Sequence, residues 1–182
     1  DGGVSTGPYA TLNLGLHAFG IDLSPDLGYP EYADDNPKRK EWTINTISHN
    51  TVVVNRRTQD PVVAGTPLLF LDTPGVQAIE VDAAQAYAET SVYRRASIMV
   101  RIDDETSYIV DIVRVHGGDD HHLSFHGAEG TVTTKGLGLV PQDGGSCAGP
   151  DIPWGPAPDP ATAASGFTWL DRVERDMAPP AG

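Results

Sequence analysis

The chain has 182 residues, 39% hydrophobic and 20% charged, which is an ordinary globular composition with enough apolar mass for one sizeable core. Its formal net charge of −13 opposes binding to the anionic surfaces of nucleic acids and membranes, and no stretch approaches the ~20 apolar residues that span a bilayer. A lone Cys147 excludes an internal disulfide and leaves the redox compartment open. No signal peptide is visible, and because the chain opens at Asp1 rather than methionine, an upstream segment is expected.

In chain order, strand patterns dominate. Alternation over Leu12–Ala18 predicts a first strand. Further strands follow at Thr51–Val54, Leu68–Leu71 and Val76–Asp82, the last with its apolar residues on one face. Asp82–Glu89, rich in alanine, reads as a short helical turn. Val92–Ile102 and Tyr108–Val115 read as a long hairpin closed by the polar turn Asp103–Thr106. Gly117-Gly118-Asp119-Asp120 turns the chain into His121–His126, and Thr131–Thr134 reads as another short strand. Residues 136–165 are rich in Gly, Pro, Asp and Ala and predict a long loop or partly disordered excursion. Phe167–Leu170 opens a final strand, followed by a tail. The sum is an all-β fold, an antiparallel β-sandwich with a long Gly/Pro-rich loop near the C-terminus. Its core spans 1–135, the excursion 136–165, and the last strand and tail 166–182.

Two segments carry most of the functional signal. Ser48-His49-Asn50-Thr51-Val52-Val53-Val54-Asn55 sets a metal-capable imidazole at the mouth of an apolar strand. Upstream, Asp26-Leu27-Gly28-Tyr29-Pro30-Glu31-Tyr32 is a turn rich in aromatic residues. Basic clusters at Lys38-Arg39-Lys40, Arg56-Arg57 and Arg94-Arg95 are the candidates for meeting an anionic ligand, although each alone reads more simply as a solvated loop or edge charge. Phosphate-loop glycines, a Gly-x-Ser-x-Gly elbow, a thiol–histidine spacing and zinc-finger patterns are all missing from the sequence.

These segments, with Leu12–Gly20, Tyr93-Arg94-Arg95, Tyr108–Asp111, Gly117-Gly118, Phe125-His126-Gly127 and the later Gly166–Leu170, resemble in order and spacing the C-terminal sandwich of the heparinase II/III-type polysaccharide lyases. The resemblance implies a secreted or periplasmic lyase. In such a lyase the sandwich packs on an α/α toroid of the same full-length protein, and an anionic, uronate-containing polysaccharide lies between them. It also implies β-elimination: a base takes the C5 proton, a donor protonates the leaving oxygen at C4, and a third group neutralises the carboxylate. Aligned on Leu12-Asn13-Leu14, the family's two histidine positions fall on Thr6 and Pro8, and its aspartate falls on Ala10. Neither replacement is a proton shuttle or a ligand, so this chain alone is expected to be inactive. A carbohydrate-binding or structural module derived from the lyases is the alternative.

The resemblance makes Asp26 and His49 metal positions, with zinc as the implied ion. With Pro8 at the third position, weak or no binding is expected, unless water or His17 completes the shell. The residues read equally as a strand-end histidine hydrogen-bonded to a turn aspartate. Tyr29, Tyr32, Arg56 and Arg94 are the candidate substrate-binding residues, the tyrosines as sugar-stacking platforms or, as commonly, packing residues. Arg94 and Arg95 must point to opposite faces of their strand, as must His121 and His122, so neither pair serves one ligand. His126 reads as structural, His116 as a turn residue, and Trp42 as lying near the cleft. Asp111, inside an apolar strand, needs a partner, and Arg95 or Arg114 is the candidate.

Overall fold

The computed structural model describes residues 9–26, 38–61, 64–157 and 165–179. The strands are β1 (His17–Ala18), β2 (Ile21–Asp22), β3 (Val52–Val54), β4 (Thr66–Asp72), β5 (Val76–Asp82), β6 (Val92–Arg101), β7 (Ser107–His116), β8 (His121–Leu123), β9 (Leu139–Pro141) and β10 (Glu174–Asp176). The four strands β4–β5–β6–β7 form one antiparallel meander, and β1–β2, β3–β8 and β9–β10 pair antiparallel. The expected all-β antiparallel architecture is therefore what the chain adopts.

Local chemistry sets the turns. Thr73 closes the β4–β5 hairpin by accepting from Val76 N and donating to Val76 O around Pro74-Gly75. Asp103 closes the β6–β7 hairpin, its carboxylate accepting from the backbone N–H groups of Glu105 and Thr106. Those N–H groups, Glu105 first, hold the Asp103 carboxyl below its usual range. Pro67 has no N–H for a ladder and is tolerated because β4 is an edge strand, with a register shift just after it. Between β7 and β8, Gly117 and Gly118 both have positive φ. A Cβ on Gly117 would strike Glu89 O, and one on Gly118 would strike Val54, so the turn needs glycine at both places.

β3 is the axis of the core. Its period of two sends Val52 and Val54 one way and Val53 the other. Val52 and Val54 pack with Ala83, Ala86, Tyr87 and Tyr93, and against Val113 and Val115 of β7. This places β3 over one face of the meander, with the main core between the two layers. Val53 packs on the far side with Ile47 and Phe167. Complete burial of a valine stabilises by about 1.5–3 kcal/mol, which makes these three residues a large part of what holds the layers together. The Tyr87 and Tyr93 rings meet edge-on at 5.4 Å, and both hydroxyls donate to Val52 O. Burial, ahead of any other cause, raises both phenols above their ordinary pKa.

Several expectations are corrected. Only His17–Ala18 of the Leu12–Ala18 segment is strand. Leu12 has a positive φ, and Leu14 N bonds Asn50 O instead of a ladder partner. Thr131–Thr134 is not a strand; Val132 is exposed, with no face to bury. Phe167–Trp169 is a 3-10 turn rather than a strand, launched by Gly166 with φ 74° so that Phe167 drops into the core. Within 136–165 the described residues include strand β9, paired with β10. Beyond the core, the meander is apolar and open, with Phe70, Ile79, Met99 and Ile109 exposed around a hollow also lined by Leu14 and Leu16.

Candidate functional site

The 3-10 turn Thr46–Ser48 delivers His49 to the start of β3 in extended conformation. Ser48 Oγ donates to Asn45 O at 2.8 Å, which ends the turn there. His49, Asn50 and Thr51 are all buried, and each is polar, so each must find partners. Asn50 Nδ2 donates to Leu14 O and Ser24 Oγ, and Asn50 Oδ1 accepts from His126 N. Its own N–H donates to Asn13 Oδ1 at 2.7 Å. Thr51 Oγ1 reaches Thr11 O at 3.0 Å and Tyr93 Oη at 2.9 Å, and Gln59 bonds both Thr11 and Tyr93. This polar layer clamps segment 9–26 onto the mouth of β3.

Arg95 completes the clamp from the meander. Its side chain is buried and fork-paired with Asp111, Nε and Nη2 each 2.8 Å from a carboxylate oxygen. Nη1 donates to Leu12 O at 2.7 Å and to Asn50 O at 2.5 Å. Of the two partners expected for Asp111, Arg95 is therefore the one it takes. Arg114 pairs instead with Glu80 on the opposite face of the sheet.

His49 Nδ1 lies 2.6 Å from Asp26 Oδ2. A carboxylate only accepts, so Nδ1 is the donor. Nε2 is buried and has no hydrogen-bond partner among the described residues. Among the described residues, no group of three or more His, Cys, Asp or Glu side chains gathers there or elsewhere. His17 contacts Asp22 at 3.8 Å and is exposed. A zinc site needs three protein donors aimed at one point. Here Nδ1 and Oδ2 are aimed at each other, so the described residues do not fit such a site.

Of the expected substrate-binding residues, the structure describes Arg56 and Arg94. Tyr29 and Tyr32 lie outside the described residues, as do Thr6 and Pro8. Arg56 sits in the tight turn Val54–Arg57, its φ of 53° following Asn55 at 51°. Its guanidinium donates to Asp120 and to Ala148 O, each at 3.2 Å, and lies over the Phe167 ring. Arg94 pairs with Asp82 at 2.7 Å on the face of the meander away from His49, so the sheet separates the two.

The other histidines are structural in their contacts. His121 bonds Gly117 O, while His122 bonds Asp120 and meets Phe167 edge-on, so the adjacent pair diverges. That bond from His122 is the first cause holding the Asp120 carboxyl below its usual range. His126 is half-buried, bonded to Ile47 O and Ser124, and edge-on to Trp42. His116 bonds Ser91.

One cluster escaped sequence reading. Trp154 and Trp169 meet edge-on at 5.2 Å, with Lys38 Nζ over both rings. The available signal was Pro153-Trp154-Gly155-Pro156, an indole flanked by residues that fix a turn.

A family model described as Heparinase II/III-like, C-terminal matches residues 6–149. No curated protein matches the chain.

Proposed function

The chain belongs to the Heparinase II/III-like, C-terminal family, and from that premise we propose that it is the β-sandwich portion of a polysaccharide lyase. Its substrate is an anionic, uronate-containing polysaccharide, cleaved by β-elimination in a cleft shared with an α/α toroid of the same full-length, secreted or periplasmic protein. The observation that carries this reading is the family match across most of the chain, which includes the Asp26–His49 pair and the clamped segment before it. No helix among the described residues is long and apolar enough to cross a membrane.

In this reading the chain's residues position rather than perform the chemistry. Proton abstraction at C5 needs a base within hydrogen-bond reach and a neutralised carboxylate. Thr6 and Pro8 stand where the family carries histidines, and neither side chain takes a proton at neutral pH. Asn50, Thr51 and Arg95 fix the segment that follows those positions against β3. Asp26 fixes the tautomer and ring plane of His49. Zinc, which the family implies, would act as a structural ion or Lewis acid, but the described donor set does not fit it.

The test is ultraviolet detection of unsaturated uronate, released by the full-length protein from heparan-type, chondroitin-type and alginate substrates. Release from at least one is expected, and this chain alone should release none. Silence on all three would overturn the lyase reading. The second reading, a non-catalytic carbohydrate-binding module, is favoured by Thr6, Pro8 and Ala10. It predicts binding to the same polysaccharides with no unsaturated product.

A further inference from the structure

We propose that Trp154, Trp169 and Lys38 form a subsite for one uronate residue of an anionic oligosaccharide, an inference that rests on the uronate-polymer reading above. The indole planes stand 82° apart with centroids 5.2 Å apart, making an apolar corner. Lys38 Nζ lies 4.6 Å from the Trp169 centroid and 5.5 Å from that of Trp154, so a positive charge stands at the ring faces.

The corner is held in advance of any ligand. Trp154 Nε1 donates to Trp169 O at 3.2 Å, and Gly155 N donates to Thr168 O at 3.1 Å. The 3-10 turn beneath them is anchored by Phe167, which is buried in the core. Trp154 is nevertheless 52% exposed. Exposure does nothing for packing, yet the ring is held by its Nε1 bond and its contact with Trp169, and a fixed, open aromatic face costs little entropy when a ligand lands on it.

A uronate matches this combination. The C–H face of its pyranose ring is apolar and flat enough to lie on an indole, and its carboxylate is the counter-ion for an ammonium. A neutral sugar would use the indole and waste the lysine. The charge setting sharpens the point. The chain carries 12 basic against 25 acidic residues, and Lys38 brings one of the basic ones to this corner. Anions are repelled from the molecule as a whole, so a local cation beside an open aromatic face is where one can dock.

Titration of the chain's tryptophan emission with heparan-type, chondroitin-type and alginate tetrasaccharides tests the subsite. A saturable change is expected with at least one, and its carboxyl-reduced form should bind at least about tenfold more weakly, as a charge-dependent contact requires. Trp154→Ala should abolish the response and Lys38→Gln weaken it about tenfold, both with an unchanged circular-dichroism spectrum. In the unmodified chain, NMR should show the Trp154 indole N–H shifting on titration, a readout that needs no variant. Equal binding of the carboxyl-reduced sugar, undiminished binding by Trp154→Ala, no response to any tetrasaccharide, or competition by tetramethylammonium, which would mark a cage for cations, would each overturn the proposal. The lyase reading fails separately: a responding corner in a full-length protein that releases no unsaturated product would sink that reading and leave the subsite standing.

Discussion

His49 Nδ1 donates to Asp26 Oδ2 at 2.6 Å, and its Nε2 is buried with no hydrogen-bond partner among the described residues. The Asp26 contact thus occupies one side of the ring and leaves a single nitrogen on the other. Elemental analysis of the purified chain should find far less than one zinc per molecule. Stoichiometric zinc that disappears in Asp26→Asn would show that the donor set is larger than the described residues provide. The same substitution replaces a charge-assisted hydrogen bond by a neutral one, and urea unfolding should register a loss of about 1 kcal/mol.

Arg95 ties several segments together from a buried position. It ties β6 to β7 through Asp111, and the meander to Leu12 and Asn50. Removing it takes away charged-donor hydrogen bonds to Leu12 O and Asn50 O, at a cost of about 1.5–3 kcal/mol, while the Asp111 carboxylate keeps its access to solvent. Arg95→Ala should approach that range in chemical denaturation, while Arg94→Ala, one residue away in a half-exposed pair, should lose less than about 1 kcal/mol. Similar losses for the two variants would refute the assignment of Arg95 as the tie.

Arg56 occupies a left-handed position without being glycine. Trimming the side chain to alanine removes its contacts to Asp120, Ala148 and Phe167 but keeps the strained backbone. Glycine removes the same contacts and relieves the strain. Arg56→Gly should therefore be more stable than Arg56→Ala by about 1 kcal/mol, read from thermal midpoints. Equal midpoints would mean that the turn relaxes to another conformation.

Asp120 gives a pH signature. Hydrogen bonding from His122, helped by the His122 charge and by the Arg56 hydrogen bond and charge, lowers its carboxyl pKa on folding against an opposing desolvation. A depressed folded pKa stabilises fully above the unfolded-state value and fades as pH falls through the folded one. Asp120→Asn should thus cost stability at neutral pH, by less than about 1 kcal/mol for so exposed a group, and the gap should close in acid. A gap that persisted in strong acid would assign the effect to packing instead.

How much was legible differs by element. Val76–Asp82 was bounded correctly because its alternation is clean and its turns are marked by Pro74-Gly75 and the alanine-rich segment. The β6–β7 hairpin was read within one residue at each strand end for the same reason. Leu12–Ala18 alternates just as well, yet most of it is irregular. Its backbone groups are claimed by Asn50 and Arg95, which lie far along the chain. The site divides in the same way. That His49 and Asp26 belong together was readable from the motifs. That their donor atoms face each other depends on how turn and strand approach.

Local pattern determined the strand-rich class, the hairpins, the three-valine strand and the family, because alternation and turn chemistry act over a few residues. Tertiary structure alone decided which arginine pairs with Asp111, that Arg94 lies across the sheet from His49, and that Lys38 meets Trp154 and Trp169. Those outcomes depend on packing between segments distant in sequence, where a buried charge or an aromatic face takes whatever partner the fold brings within reach.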